Sequence, residues 1–330
     1  MIVLFGVFLL TLLVITALAI VRSENLFVVV MLAGIFSLLM AAMFLILDAP
    51  DVALTEAAVG AGISTVLFLA ALALTAERER AGSTNRLLAL GVVAVTTLIV
   101  IYATFDKPRF GDPAAPVHQH VAPWYLERTP EAIDIPNVVT AILGSFRGYD
   151  TLGEVFVVFT AGIGVLFLLG TRPRRNSRSV RVALDESDAG LRHYLIPRVV
   201  GRLLVPFIVL FGLYIQFHGE YGPGGGFQAG AIVAAGLILY ALLEGEEQAL
   251  RVMPRWVLTG LVAGGALLYG AVGIAGMLLG GNFLDYSVLA TDPIKGQQIG
   301  ILLIETGVGI TVTGVLLSVF HAFAARGRYL

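Results

Sequence analysis

Nine long apolar runs constrain this chain more than any other feature of its sequence. Each run is long enough, or nearly so, to cross about 30 Å of hydrocarbon as a helix. Only 13% of the residues are charged, whereas soluble domains carry about 25%. We therefore expect an all-α integral membrane protein with about nine transmembrane helices. The runs are residues 2–21, 26–47, 52–75, 87–105, 151–170, 203–217, 225–243, 256–279 and 298–323, of which the sixth is short unless its helix begins near Pro197.

The same sequence excludes several other classes of protein and site. The first run is too long for the core of a signal peptide and no basic residue precedes it, so a transmembrane helix is expected there. The chain has no cysteine, which excludes disulfides, thiolate metal sites and thiol catalysis. Its net charge of −2 argues against nucleic acid as a partner.

The arginines between the runs predict how the chain lies in the membrane. Cytoplasmic loops are enriched in Lys and Arg, and with nine helices all four arginine-bearing segments fall on one side. We therefore expect the amino terminus outside and the carboxyl terminus in the cytoplasm, in a multi-pass protein of the cell membrane. These arginines are Arg78, Arg80, Arg86, Arg172, Arg174, Arg175, Arg178, Arg181, Arg192, Arg198, Arg202, Arg251, Arg255, Arg326 and Arg328, and Arg22 agrees with them.

Two long breaks separate the apolar runs. Residues 106–150 contain six prolines and are expected to lack regular structure until about Asn137, after which 137–146 is predicted to form a short helix at the outer surface. Residues 171–202 are rich in arginine and are interpreted as a cytoplasmic linker. His118 and His120 form an H-x-H pair, but no carboxylate or cysteine lies at ligand spacing, so we favour an exposed loop over a metal site.

A glycine-rich stretch interrupts the second half of the chain. It reads Phe217-His-Gly-Glu-Tyr-Gly-Pro-Gly-Gly-Gly-Phe-Gln-Ala-Gly230. Pro223 fixes its own φ and the glycines permit unusual backbone shapes, so a sharp turn is predicted. Gly226 and Gly230 form a small-xxx-small face that lets another helix approach closely. Phosphate-binding glycine motifs are absent, which leaves a plain tight turn, or a turn that also docks a partner or guards an ion path.

Three glutamates lie inside the predicted membrane helices. Glu56, Glu154 and Glu305 each lie near the beginning of a helix that runs from outside to inside, with His218 at the same outer level. An ionisable group in the membrane is costly and marks a functional candidate by default. Small or hydroxyl residues follow Glu56 and Glu305 at steps of four, which indicates a protein- or water-facing stripe. Ion exchange and interhelical packing are the two interpretations.

These motifs resemble known families. The stretch from Phe217 to Gln228 resembles the signature of the B-type (MnhB) component of Mrp-type (multiple resistance and pH) Na⁺/H⁺ antiporters, and residues 296–317 resemble the last helix of that component. Residues 51–62 are similar to the D-type segment of membrane-bound hydrogenases and residues 137–154 to the E-type segment. In many Mrp systems those segments form the carboxyl-terminal part of the A-type component.

The resemblance implies a fusion of D- and E-type segments to an MnhB-type domain. Its predicted parts are a D-type segment at 1–105, an E-type segment with an external loop at 106–170, a linker at 171–194 and an MnhB-like four-helix domain at 195–330. The chain departs from the family pattern at Glu220, where a histidine is usual, at Ala229, where a glycine is usual, and at Ser145, where an aspartate is usual.

The resemblance also implies a function. The chain would be a membrane subunit of a multi-subunit monovalent cation/proton antiporter, with the A, C, D, E, F and G types as partners, Na⁺ and H⁺ as cargo and no cofactor. Lys107 and Lys295 are placed in loops, so the chain is not expected to be the proton-pumping module. The predicted pathway residues are Asp51, Glu56, Glu154 and Glu305; the predicted motif and interface residues are His218, Glu220, Pro223, Gly224, Gly225, Gly226, Phe227, Gln228, Arg147 and Asp150.

Two other classes stay open at this point. In one, the chain is a scaffold for assembly whose carboxylates only hold helices together. In the other, it is a structural membrane subunit of a redox complex of the hydrogenase or complex I type.

Overall fold

The computed structural model describes residues 1–79, 85–109, 111–169 and 195–327. Within these ranges the secondary structure is helical, and the one bridge between extended residues joins Asn25 to Arg78. The helices are α1 (Ile2–Arg22), α2 (Leu26–Ile46), α3 (Pro50–Leu72), α4 (Arg86–Thr104), α5 (Ala122–Ala132), α6 (Val138–Ala141), α7 (Gly148–Leu169), α8 (Leu195–His218), α9 (Gly226–Glu244), α10 (Glu246–Val252), α11 (Arg255–Leu278) and α12 (Pro293–Gly327). The predicted linker at 171–194 lies outside the described residues, as do Arg80 and Arg328.

All nine predicted membrane helices are confirmed. In the described part of the chain, nine helices are long and apolar enough to cross a membrane: α1–α4, α7–α9, α11 and α12. The sixth of them, α8, begins at Leu195 and has 24 residues, which removes the doubt about its length.

The placement of Lys295 in a loop was wrong. Asp292 accepts a hydrogen bond from the Ile294 amide at 3.1 Å and so caps α12, which begins at Pro293. Proline suits the first turn of a helix because its missing N–H would be unpaired there anyway. Lys295 therefore lies in the first turn of α12, where it is exposed.

The expectation that residues 106–136 lack regular structure was also wrong. Residues Val117–Val121 form a π-helical turn that leads into α5. Pro116 precedes this turn and Pro123 lies in the first turn of α5, where a missing N–H costs little. The short helix expected at 137–146 is confirmed, since Val138–Ala141 continues as a π-helical turn over Ile142–Phe146.

The core lies in the carboxyl-terminal half of the chain, around α12. This helix packs against α7, α9 and α11, while α8 packs against α9. Backbones approach closely at the predicted Gly226/Gly230 face, where an added Cβ on Gly230 would lie 2.6 Å from the Gly309 carbonyl oxygen on α12. The predicted face at Gly260 and Gly264 meets nothing within 4 Å among the described residues.

The amino-terminal helices are packed more loosely. α1 and α2 pack against each other around Leu9, Leu13 and Met43. α3 contains an internal π-helical stretch, Glu56–Ile63, through which it contacts α2 and α9. This contact brings the first half of the chain to the glycine-rich turn.

Candidate functional site

The glycine-rich turn folds back over the end of α8. The amides of Tyr221 and Gly222 both donate to the His218 carbonyl, at 2.9 and 3.0 Å, and the Gly225 amide donates to the Ile215 carbonyl at 3.2 Å. Gly225 has φ 122°, a conformation that favours glycine. A Cβ on Gly224 would lie 2.6 Å from the Ile215 carbonyl oxygen. The predicted sharp turn is therefore confirmed.

Asn137 fastens this turn to the first half of the chain. Its side-chain Nδ2 lies 3.0 Å from the Gly219 carbonyl, 2.8 Å from the Gly222 carbonyl and 3.2 Å from Oδ1 of Asp51. Its Oδ1 accepts the Val139 amide at 3.0 Å and so caps α6. One buried amide thus links α3, α6 and the turn.

Two further hydrogen bonds hold the same junction. Oγ1 of Thr140 donates to the Gly219 carbonyl at 2.7 Å. Nε2 of Gln228, at the start of α9, donates to Oγ1 of Thr55 on α3 at 2.8 Å. The turn is consequently held on two sides by polar groups that lie more than 75 residues away in sequence.

Glu305 lies directly beneath the turn. A Cβ on Gly225 would lie 3.2 Å from its Oε1, and a Cβ on Gly226 would overlap its backbone carbonyl oxygen. Both glycines lie at the beginning of α9, whose unpaired amides and dipole favour a negative charge. Among acidic groups, Asp51 and Glu220 act electrostatically on Glu305. The structure therefore brings three carboxyl groups to one junction.

Glu220 is half-buried at this junction. Burial raises the pKa of its carboxyl above the ordinary value for glutamate. The carboxyl therefore keeps its proton to a higher pH than an exposed glutamate does. This residue stands where the MnhB pattern usually has a histidine, so the position still carries a group that can exchange protons.

The other two predicted glutamates lie apart from this junction. Glu56 lies over Gly60 of its own helix, and a Cβ on Gly60 would also lie 2.8 Å from Oγ of Ser37 on α2. Glu154 is exposed on α7 and shares its helix end with the ion pair of Arg147 and Asp150. The four predicted pathway carboxylates thus do not form one cluster.

The remaining motif residues take structural positions. The ring of His218 stacks on Tyr214 with centroids 4.9 Å apart, and Phe227 packs against the core. Pro223 is half-buried within the turn. Oγ of Ser145 donates to Oε1 of Gln297 on α12 at 2.7 Å, which anchors the position that is usually an aspartate. No group of three or more His, Cys, Asp or Glu residues that could hold a metal occurs in the described part of the chain.

A cavity of about 300 Å³ lies between α8, α9, α11 and α12. Gln216, Thr306 and Thr313 are its polar lining residues and the rest of the lining is apolar or glycine. Thr313 donates to the Gly230 carbonyl at 3.1 Å. With so few polar groups, this cavity is poorly suited to carry ions.

Several residues at the site escaped the sequence analysis. Asn137 was noted only as the start of a short helix, although its place before Val-Val-Thr-Ala is a helix-cap signal. Tyr269 and Tyr286 gave no signal, because a tyrosine in an apolar run is common. Both are fully buried beside Gly148, and burial raises the pKa of Tyr286, so its hydroxyl stays neutral.

Three protein-family models match the chain in succession. A model of the D-type component of MBH matches residues 11–77, and one of the E-type component of MBH matches residues 110–186. A third, "Domain related to MnhB subunit of Na+/H+ antiporter", matches residues 196–318. The domain boundaries drawn from the sequence stay a prediction.

Named relatives include components of antiporters. A probable K⁺/H⁺ antiporter component of A/B type from Rhizobium meliloti (strain 1021) is 29% identical over 316 residues, covering 85% of this chain and 30% of that protein. The A-type Na⁺/H⁺ antiporter component of Bacillus subtilis (strain 168) is 28% identical, covering 52% of this chain and 21% of that protein. An uncharacterized protein of Methanocaldococcus jannaschii is 32% identical, covering 51% of this chain and 66% of that protein. This chain thus spans about a third of the Rhizobium relative.

Two solved structures are similar as well. A chain of the Mrp complex from Dietzia sp. DQ12-45-1b superimposes with a TM-score of 0.76 at 27% identity, covering 96% of this chain and 34% of that one. A chain of the membrane-bound sulfane sulfur reductase, an archaeal respiratory membrane complex, gives a TM-score of 0.55 at 28% identity and covers 72% of this chain and 97% of that one.

Proposed function

Because this chain joins an MbhD-type, an MbhE-type and an MnhB-type segment in that order, we propose that it is a membrane subunit of a multi-subunit monovalent cation/proton antiporter. Its partners in this proposal are the other Mrp-type subunits, and its cargo is Na⁺ or K⁺ with H⁺. It is a transporter subunit, without a resident cofactor, of the cell membrane. It contributes to the cation pathway and to assembly, and the proton-pumping module belongs to a partner.

The junction beneath the glycine-rich turn supports this proposal. The turn from the MnhB-type segment is hydrogen-bonded to Asp51 of the MbhD-type segment and to Asn137 of the MbhE-type segment. Glu305 lies below it, with Asp51 and Glu220 as electrostatic neighbours. Carboxyl groups that repel one another and lie at a helix amino terminus can exchange a proton for a monovalent cation.

Deletion and purification test the assignment. Cells that lack this chain should lose cation-dependent proton exchange in everted vesicles and regain it when the gene is returned. A tagged chain should copurify with antiporter-type subunits. Restored exchange without this chain, or copurification with redox subunits alone, would contradict the assignment.

The pathway roles are tested by three isosteric substitutions. Glu→Gln keeps shape and hydrogen bonding but removes the titratable charge. We expect Glu56→Gln, Glu154→Gln and Glu305→Gln each to lower exchange while the complex assembles. Exposed Glu131, which is paired with Arg128 on α5, offers a matched control as Glu131→Gln. Normal exchange in all three variants would leave the chain as a scaffold.

We further propose that the amino terminus lies outside and the carboxyl terminus in the cytoplasm. The arginines at the described cytoplasmic ends, Arg78, Arg198, Arg202, Arg251 and Arg255, support this orientation. Reporter fusions after residues 185 and 250 should read cytoplasmic, and one near residue 120 should read external. A cytoplasmic reporter at residue 120 would reverse the orientation.

One observation favours a second candidate, a structural component of a respiratory membrane complex. The sulfane sulfur reductase chain is matched over 97% of its length. In that case the tagged chain should copurify with redox-cofactor subunits, and its loss should abolish electron transfer in the membranes. The purification described above separates the two candidates.

A further inference from the structure

Two buried tyrosines lie between α7 and α12, and the function proposed above uses neither. Tyr269 belongs to α11, and Tyr286 belongs to the 3₁₀ turn Tyr286–Leu289 before α12. Both side chains are fully buried, at 0% exposure. Buried tyrosine hydroxyls usually find a hydrogen-bond partner, so their partners are informative.

The two hydroxyls differ in how they are satisfied. Oη of Tyr269 donates to the carbonyl of Gly148, the first residue of α7, at 2.7 Å. Oη of Tyr286 lies beside Oη of Tyr269, but the geometry is not that of a hydrogen bond, so it is buried without a partner among the described residues. A buried polar atom left in this way costs about 1–3 kcal/mol and calls for an explanation.

Glycines on two helices make room for this pair. A Cβ on Gly148 would lie 3.2 Å from Oη of Tyr286 and 3.7 Å from Oη of Tyr269, so both oxygens face the start of α7. A Cβ on Gly300 of α12 would overlap the ring of Tyr286. The hydroxyls are thus directed together at one point by close packing.

The carboxylates of the proposed pathway lie on both sides of this point. Glu154 and Glu305 both act electrostatically on the hydroxyl of Tyr269. Glu305 lies beneath the turn and is partly buried, whereas Glu154 is exposed on α7. The tyrosine pair therefore lies between an inner carboxyl group and an outer one.

We propose that the hydroxyls of Tyr269 and Tyr286 relay protons between Glu305 and Glu154, with a water bound at Oη of Tyr286 completing the hydrogen-bonded chain. This inference rests on the proposed function and specifies the proton route of the same site. Protonated Glu305 gives up its proton to the chain, and each hydroxyl or water oxygen accepts one proton and passes on another. The Glu154 carboxylate receives the last proton. Only O–H bonds form and break, and both tyrosines are neutral before and after.

The chemistry suits this task. A phenol hydroxyl is both donor and acceptor, and it stays neutral here. A buried water needs two or more polar partners, and the unpaired Oη of Tyr286, Oη of Tyr269 and the carboxyl groups supply them. A purely structural role makes the opposite prediction, because removing an unpaired buried hydroxyl should stabilise the fold or leave it unchanged.

Tyr286→Phe in the complete complex tests the relay. The variant keeps the ring against Gly300 and removes only the unpaired oxygen. We expect cation-dependent proton exchange in everted vesicles to fall about tenfold or more, since positioned proton-transfer groups contribute about 10² to 10⁴ in rate. Assembly and melting temperature should stay at or above the parent level. The residual exchange should show a larger solvent isotope effect in D₂O.

Tyr149→Phe is the matched control, since Tyr149 is 63% exposed one residue after Gly148. It should exchange like the parent. Parent-level exchange in Tyr286→Phe while Glu305→Gln lowers exchange would overturn the relay and leave the proposed function standing. Parent-level exchange in Tyr286→Phe, Glu154→Gln and Glu305→Gln together would overturn both.

Discussion

The two halves of this chain differ in how closely their helices approach one another. In the carboxyl-terminal half, a Cβ on Gly226 would overlap the Glu305 backbone and one on Gly265 would overlap the Gly307 carbonyl oxygen. In the amino-terminal half, α4 has no buried residue, and a Cβ on its Gly91 would meet nothing within 4 Å. One half is packed backbone to backbone, and the other leaves most of its apolar surface uncovered by its own chain.

This difference indicates where the fold is self-sufficient. Lipid is as apolar as leucine, so helices in a membrane associate through close packing of small residues and through hydrogen bonds rather than through burial of apolar area. The carboxyl-terminal helices have such contacts within the chain. We expect the amino-terminal helices, and the open face at Gly260 and Gly264, to gain them from lipid or from partner subunits.

Gly226→Val should have the largest effect and would break the close-packed half. The added side chain has no space beside the Glu305 backbone, and overpacking of this kind costs about 1–3 kcal/mol or more. We expect the assembled complex to be lost or its melting temperature to fall sharply. Gly91→Val on the open helix α4 is the control. Equal losses in both variants would contradict the contrast between the halves.

Asn137→Leu should have the next largest effect, because Asn137 joins the two halves. The substitution keeps the volume but leaves buried carbonyls of the turn without their donor, at about 1–3 kcal/mol. Its control is Asn25→Leu, which removes the exposed cap of α2 at about 1 kcal/mol. Thermal unfolding in detergent measures both. A smaller loss for Asn137 than for Asn25 would mean that the turn is held by other contacts.

Ser145→Ala should have a smaller effect of about 0.5–1.5 kcal/mol, since it removes one side-chain hydrogen bond to Gln297. Exchange activity should follow the amount of assembled complex. A loss of activity well beyond the loss of assembly would give Ser145 a role in transport and not only in packing.

Glu220→Gln should have the smallest effect on stability, and it should depend on pH. Folding raises the pKa of Glu220, so the folded state binds the proton more tightly than the unfolded state. Its contribution to stability is full below the unfolded-state pKa and is lost as pH rises through the folded-state pKa. Melting curves over this window should fall less with pH for the Gln variant than for the parent. Parallel curves would mean that Glu220 is solvated like an ordinary glutamate.

The sequence predicted the features that depend on local pattern. The apolar runs predicted all nine helices, and Pro223 with its glycines predicted the turn. Lys295 was misplaced because the cap at Asp292 extends α12 beyond its apolar run. Asn137 lies 82 residues from Gly219 in sequence, and no local pattern reports such a contact. The different surroundings of Glu56, Glu154 and Glu305 likewise follow from which helix faces each of them.

Exchange by the Glu305→Gln complex tests the central claim most directly. The claim is that the carboxyl group beneath the glycine-rich turn exchanges protons and cations during transport. Cation-dependent proton exchange in everted vesicles should fall strongly in Glu305→Gln at normal assembly, and Glu305→Asp should retain more activity because it keeps the charge at a shorter reach. Parent-level exchange in a fully assembled Glu305→Gln complex would contradict the claim and leave Glu305 as a polar contact between α9 and α12.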